Sequence, residues 1–398
     1  MKHILPIFLA LLLAGCAAPP AETVPDTLPV PSETVAPATV EPVPIEMPED
    51  SLLASMTLRE KVGQLFLIRP EAVDPEGLTD PDHRTTAVTA AMLETLKTYP
   101  VGGFVQFTKN IESPQQLLAF NQALLTAVPV APFLSVDEEG GLVARLASHP
   151  AFDLPTYRSA GAVGALPDPE AALDMGRTIG GYLQDYGFNM DFAPVADVNT
   201  NPDNPIIGTR SFSPDPEHAA RCAGDMAEGL RPSGIVPVFK HFPGHGDTAQ
   251  DSHKGLAVSY RTAEDMEGCE WLPFRQAGSQ DCVMVGHIAL PQVTGDMTPA
   301  TLSPAIVTGL LRGQLGFEGL IITDALDMGA ITQDYSSGQA ALEALNAGCD
   351  LLLMPQSLPQ AFDAVMAAVE DGSFPEAKLD QIVLRILRFK LDQGILKL

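Results

Sequence analysis

Eight short apolar runs constrain this chain more than any other feature. They fall at 62–68, 101–107, 132–136, 188–192, 236–239, 282–285, 320–322 and 350–354. Each is almost continuously apolar instead of alternating, as expected of parallel strands covered on both faces. Stretches with helical periodicity separate them, at 84–98, 114–127, 169–186, 216–231, 263–277, 304–315 and 338–346. Ser113-Pro114, Asp168-Pro169, Asp215-Pro216 and Ser303-Pro304 place a capping side chain before a first-turn proline. Two more helices are predicted at 359–370 and 375–393; in the second, Leu379, Ile382, Val383, Ile386 and Leu387 mark a packing face. Eight such units in series predict an α/β fold of the (β/α)8 TIM-barrel type, with an open doubly wound sheet as the alternative.

The first 49 residues do not fit that pattern. Lys2 precedes an apolar run from Ile4 to Leu13, too short to cross a hydrocarbon layer of about 30 Å but suited to a signal peptide. Leu13-Ala14-Gly15-Cys16 resembles the lipobox of bacterial lipoproteins, which implies cleavage after residue 15 and a diacylglyceryl group on Cys16. From Ala17 to Pro48, nine of 32 residues are proline and none is basic or aromatic, so 16–49 reads as an extended tether. The expected organisation is a signal peptide at 1–15, the lipidated Cys16 with its tether at 16–49, and one barrel at 50–398. This implies an extracytoplasmic envelope protein held to a membrane by its lipid.

Charge narrows the partners. With 23 Lys and Arg against 50 Asp and Glu, the net charge is −27. Little is left to build a basic face for nucleic acid, and adhesion to anionic lipid is also disfavoured. Cys222, Cys269, Cys282 and Cys349 form no CxxC motif; Cys282 and Cys349 open apolar runs and read as buried thiols. Nothing in the sequence sets an oligomeric state, and a monomer is the expectation.

Polar residues cluster where the strands should end. Asp137-Glu138-Glu139-Gly140-Gly141 follows the third run, Asp191 and then Asp197 the fourth, Lys240-His241 the fifth, Gly286-His287 the sixth and Thr323-Asp324 the seventh. In a barrel these ends meet on one rim, where such folds do their chemistry. The densest stretch runs from Lys240 to Thr248 and on through Asp251-Ser252-His253. His241, His245, His253, Asp247 and Asp251 are metal-ligand types, and barrels host metallohydrolases, so a metal site is one reading of the loop taken alone. Gly244 and Gly246 suggest flexible points in a lid carrying His253.

The wider set of motifs resembles glycoside hydrolase family 3, and within it the bacterial β-N-acetylglucosaminidases. Lys240-His241-Phe242-Pro243-Gly244-His245-Gly246 stands intact, followed by Asp251-Ser252-His253. Asp137 to Gly141 with Arg145, Ile207 to Phe212, Leu315 to Gly319, and Thr323 to Leu326 with Met328 appear in the family's order. The resemblance implies a retaining, exo-acting hydrolase of terminal GlcNAc in peptidoglycan fragments or chitooligosaccharides, with no metal or other cofactor. It implies Asp324 as nucleophile, His253 as acid/base and Asp251 as its partner. Asp137, Arg145, Arg210, Lys240 and His241 correspond to sugar-holding residues. Adjacent residues of a regular strand face opposite ways, so Lys240 and His241 can share a ligand only if the strand end is irregular. Asp327 is expected to cap the next helix, and His245 to brace its loop. His287 either lines the rim or packs beneath it. Leu142 replaces a usual arginine, which touches an outer contact only. Transfer to phosphate in place of water stays open, because a neutral histidine does not repel an anionic acceptor.

Overall fold

The computed structural model describes residues 47–80, 82–250 and 255–397. The expected signal peptide, Cys16, nearly all of the tether, Asp251 and His253 lie outside the described residues.

Eight parallel strands form the core: β1 (Phe66–Ile68), β2 (Gly103–Gln106), β3 (Phe133–Val136), β4 (Met190–Asp191), β5 (Val236–Phe242), β6 (Cys282–Val285), β7 (Leu320–Thr323) and β8 (Leu352–Leu353). Each pairs with the next along the chain as far as β7, and β1 pairs with β8. A parallel bridge between Ile322 and Leu351 joins β7 to β8 and closes the ring, so the sheet is a barrel and not an open doubly wound sheet. Every strand residue is buried, which accounts for the uniformly apolar runs. Cys222, Cys282 and Cys349 are buried free thiols, and Cys269 is a half-buried one.

The helices follow the sequence, with informative exceptions. Ser113 and Asp215 accept hydrogen bonds from the backbone N–H groups of Gln116 and His218, as their place before proline implies. Ser303 does not cap, and Asp168 accepts from Glu170 ahead of a helix that starts only at Ala171. The first apolar run is split: Val62 belongs to helix Leu58–Gly63, opened by a Thr57–Glu60 capping box, and the strand starts at Phe66. A continuous apolar run cannot by itself distinguish the end of a buried helix from the strand after it. The helix expected at 263–277 breaks into Ala263–Glu267, which ends at Gly268, and a 3-10 turn at Pro273–Gln276 with Pro273 in its first position. The helix expected at 84–98 begins at Ala90, where Thr89 accepts from Met92; Arg84 instead donates to the carbonyls of Lys109 and Ile111.

The last helix, Glu376–Asp392, buries the predicted face and also Lys390. The Lys390 ammonium donates to Gln64 Oε1 at 2.9 Å and the Gly102 carbonyl at 3.0 Å, 4.7 Å from the centre of the Phe133 ring. Gln64 and Gly102 precede β1 and β2, so this is the barrel floor, opposite the polar rim. Burial pushes the Lys390 amine down to about 7. An unfolded lysine titrates near 10.4, so between these values the unfolded chain binds more protons and stability rises with pH. Denaturant melts from pH 7 to 10 are expected to show a Lys390 contribution of up to about 1.4 kcal/mol per pH unit that vanishes in Lys390→Met. A wild-type slope equal to that of the variant contradicts this.

Candidate active site

The C-terminal strand ends surround a cavity of about 300 Å³. It is lined by all five residues that the resemblance assigned to sugar contact, by Asp324, and by His245.

On the side of β3 to β5 the charged groups interlock. Lys240 Nζ lies 2.7 Å from Asp137 Oδ1 and 2.6 Å from Glu139 Oε1. Glu139 also accepts both donors of Arg210, at 2.8 and 2.7 Å, in a bidentate pair. Arg145 donates to Asp137 Oδ2 at 3.2 Å and lies over the Phe107 ring. Burial alone raises the Asp137 and Glu139 carboxyls. For Asp137 the Lys240 and Arg145 charges outweigh it, and for Glu139 those of Lys240 and Arg210 do, so both are held below the usual carboxylate range. Burial works against the Lys240 ammonium, but its two carboxylates hold its pKa above the ordinary lysine value. The grip is therefore fully ionised at neutral pH, three cations against two carboxylates, and matches a ligand rich in hydroxyl and carbonyl oxygens.

Glu139 is a site residue that motif reading passed over. Its place follows from strand alternation: 137 and 139 face the cavity, while Glu138 points back. There Glu138 accepts from the backbone N–H groups of Arg145, Leu146 and Ala147 and from the Tyr182 hydroxyl, which fixes the loop carrying Arg145. Leu142, on that loop, is 81% exposed and stands outside the cavity.

The end of β5 is irregular, as a shared ligand for Lys240 and His241 requires. The Lys240-His241 peptide is cis and the pairing with β6 slips between Lys240 and Phe242. Both side chains line the cavity. Buried Asp197 organises this corner, with Oδ2 2.7 Å from His241 Nδ1 and Oδ1 accepting from the His245 N–H at 2.6 Å. That contact leaves Nε2 as the His241 nitrogen able to meet a ligand. His245 Nδ1 meets Thr248 Oγ1 at 2.6 Å, which ties the turn together. The two glycines have a different reason from the expected flexibility. A Cβ on Gly246 would stand 1.7 Å from the Val198 carbonyl, and Gly244 has φ 123°. Both are set by close approach and backbone conformation. Asp247 turns to Ser259 and Arg261. Among the described residues, no three His, Cys, Asp or Glu side chains converge as metal ligands.

Across the cavity, Asp324 follows β7 and its Oδ1 accepts from the Ala325 N–H at 2.8 Å. Burial would raise this carboxyl, but His287, His241, the Ala325 N–H and Lys240 together hold it below the usual range. His287 is packed beneath the rim: Nε2 donates to the Ala325 carbonyl at 2.8 Å and Nδ1 meets Thr301 Oγ1 at 2.8 Å. It braces the residue after Asp324. Asp327 does not cap the next helix, whose N-cap is Met328. It lines the cavity and accepts from Arg69 Nη2 at 2.7 Å. Arg69 directly follows β1 as Asp137 directly follows β3, and that placement was the available signal for it.

Residues 57–389 match the family described as Glycosyl hydrolase family 3 N terminal domain. The chain is 34% identical over 363 residues to the beta-hexosaminidase LpqI of Mycobacterium tuberculosis, covering 88% of this chain and 87% of that protein. It is 30% identical to beta-hexosaminidase A of Pseudoalteromonas piscicida over 84% of this chain, but spans only 61% of that relative's length. The solved glycoside hydrolase family 3 beta-N-acetylglucosaminidase of Paenibacillus sp. superposes with a TM-score of 0.78 at 35% identity, covering 86% of this chain and 63% of that one. A closed eight-stranded barrel, an acidic and basic rim at its strand ends, and a family match across nearly all the described residues converge: the chain belongs to glycoside hydrolase family 3.

Proposed function

We propose that this protein is an exo-acting, retaining β-N-acetylglucosaminidase (a β-N-acetylhexosaminidase) that removes terminal GlcNAc from peptidoglycan fragments or chitooligosaccharides. The observation that carries the reading is one cavity of about 300 Å³ with an ionised grip on one side and the ionised Asp324 on the other. A cavity of that size suits a single terminal sugar, and the relatives named beta-hexosaminidase favour GlcNAc.

The chemistry follows from two positions. Asp324 attacks the anomeric carbon as the bond to the glycosidic oxygen breaks, and His253 gives that oxygen its proton. Water then attacks the same carbon, returns a proton to His253 and frees Asp324. Asp251 accepts a hydrogen bond from the imidazole and favours its charged form. Hydrolysis of nitrophenyl β-GlcNAc against nitrophenyl β-glucoside, with and without phosphate, tests the reading. Preference for GlcNAc and indifference to phosphate are expected. A glucose preference makes the protein a β-glucosidase, and a phosphate requirement makes it a phosphorylase.

The reading extends to location. Lipidation at Cys16, with 16–49 as tether, keeps the barrel at the membrane outside the cytoplasm. Expressed in a bacterium, wild-type activity is expected in the membrane fraction, and Cys16→Ala is expected to release it; equal partitioning of the two contradicts the anchor.

A further inference from the structure

The backbone around Asp324 is held by groups that never reach the cavity. The Asp324 N–H donates to the Val285 carbonyl at the end of β6, at 2.9 Å, and the Leu326 N–H donates to the Leu353 carbonyl of β8, also at 2.9 Å. Between them, the Ala325 carbonyl accepts from His287 Nε2 at 2.8 Å. Three successive residues are thus pinned, and the peptide joining Asp324 to Ala325 cannot turn. The N–H of that peptide is the one that Asp324 Oδ1 accepts, at 2.8 Å. Among the described residues nothing else bonds to the carboxylate, which lines the cavity. One oxygen is parked, and Oδ2 is left for the sugar.

Of the three holds, the outer two continue the pairing of β7 with β6 and β8, so the barrel itself supplies them. The middle one needs a side-chain donor. A carbonyl can only accept, so His287 Nε2 carries the proton. Burial pushes this imidazole below the ordinary histidine range, which leaves Nδ1 as an acceptor. Nδ1 meets Thr301 Oγ1 at 2.8 Å, and that hydroxyl also lies 3.0 Å from the Val285 carbonyl and 2.9 Å from that of Gly286. Thr301 sits on the 3-10 turn Ala300–Leu302. One hydroxyl therefore touches both the carbonyl that anchors Asp324 and the ring that anchors Ala325. His287 and Thr301 are fully buried, and neither lines the cavity. A side chain needed only to fill this space could be apolar, since a buried imidazole or hydroxyl costs free energy unless its polar atoms are paired. Here the pairing converges on the two residues that present the carboxylate.

We propose that His287 and Thr301 are positioning residues for the glycosyl transfer: they hold the backbone from Asp324 to Leu326 so that Oδ2 is presented to the anomeric carbon. The proposal rests on the reading of Asp324 as nucleophile given above.

The test separates bond formation from sugar binding. The pre-steady-state release of nitrophenolate from nitrophenyl β-GlcNAc reads formation of the glycosyl-enzyme. The inhibition constant of free GlcNAc reads the grip on β3 to β5. In His287→Phe, which keeps the shape of the ring and loses both nitrogens, the rate is expected to fall on the order of 10²-fold, while the inhibition constant stays within about twofold. His287→Gln, whose amide nitrogen stands as many bonds from Cα as Nε2 does, is expected to recover the rate to within about tenfold of wild type. Thr301→Val keeps the imidazole, is expected to lose about tenfold, and serves by itself if His287→Phe does not fold. A rate within about twofold of wild type in whichever of His287→Phe and Thr301→Val folds overturns the proposal. So does a weakening of GlcNAc inhibition in proportion to the rate, or a His287→Gln enzyme no faster than His287→Phe. Mass spectrometry after a 2-fluoro glycosyl donor keeps the two readings apart. Label on Asp324 with unchanged variant rates sinks the positioning alone, whereas label on another residue sinks the nucleophile and the positioning with it.

Discussion

Asp324→Asn is expected to lower kcat on GlcNAc glycosides by a factor on the order of 10⁴ or more while the protein stays folded. The amide keeps an oxygen to accept the Ala325 N–H but cannot displace the leaving group. It also removes a buried negative charge that His287, His241 and Lys240 stabilise, so some stability is lost along with the chemical step and the two are measured separately. Circular dichroism and a thermal melt establish the fold, and single-turnover kinetics measure the step. Activity within about tenfold of wild type means that another group forms the bond to the sugar.

The second large effect belongs to His253. Removing a general acid costs about 10² to 10⁴ in rate, and most where the leaving group most needs a proton. His253→Ala is expected to lose that much on a disaccharide and far less on an aryl glycoside whose phenolate leaves unaided. Asp251→Asn keeps the histidine but withdraws the charge that favours its protonated form. The alkaline limb of kcat/KM should therefore move to lower pH in that variant, because the imidazole loses its proton sooner. Equal losses on both substrates in His253→Ala, or an alkaline limb unmoved in Asp251→Asn, contradict the acid/base pair.

Much of this architecture was legible because burial leaves a direct mark on sequence. Six of the eight strands fall within the apolar runs, and β5 and β7 start in theirs and run on to Phe242 and Thr323, since a barrel strand has a side chain from the interior or from a helix on each face. What the runs could not show is where a buried helix gives way to a strand, as at Val62, or where a helix stops short, as at Gly268. The site was legible as a set of motifs at strand ends, but its pairings were not. Glu139 stood in plain view within an acidic triplet, yet its role depends on alternation along the strand and on Arg210, 71 residues away. Asp327 looked like a helix cap from its neighbours, but its partner is Arg69 at the end of β1, 258 residues earlier. Contacts of such separation are made by closure of the ring, and no local pattern encodes them. The shared orientation of Lys240 and His241 is similar: alternation forbids it, and only the slip at the end of β5 permits it.

The central claim is that Asp324 bonds to the sugar. Incubation with a 2-fluoro glycosyl donor that forms the intermediate faster than water removes it, followed by digestion and mass spectrometry, tests this most directly. The account predicts one equivalent of glycosyl label on the peptide containing Asp324, and its absence from Asp324→Asn. Label on any other residue, or no label from an enzyme that still hydrolyses GlcNAc glycosides, would contradict it.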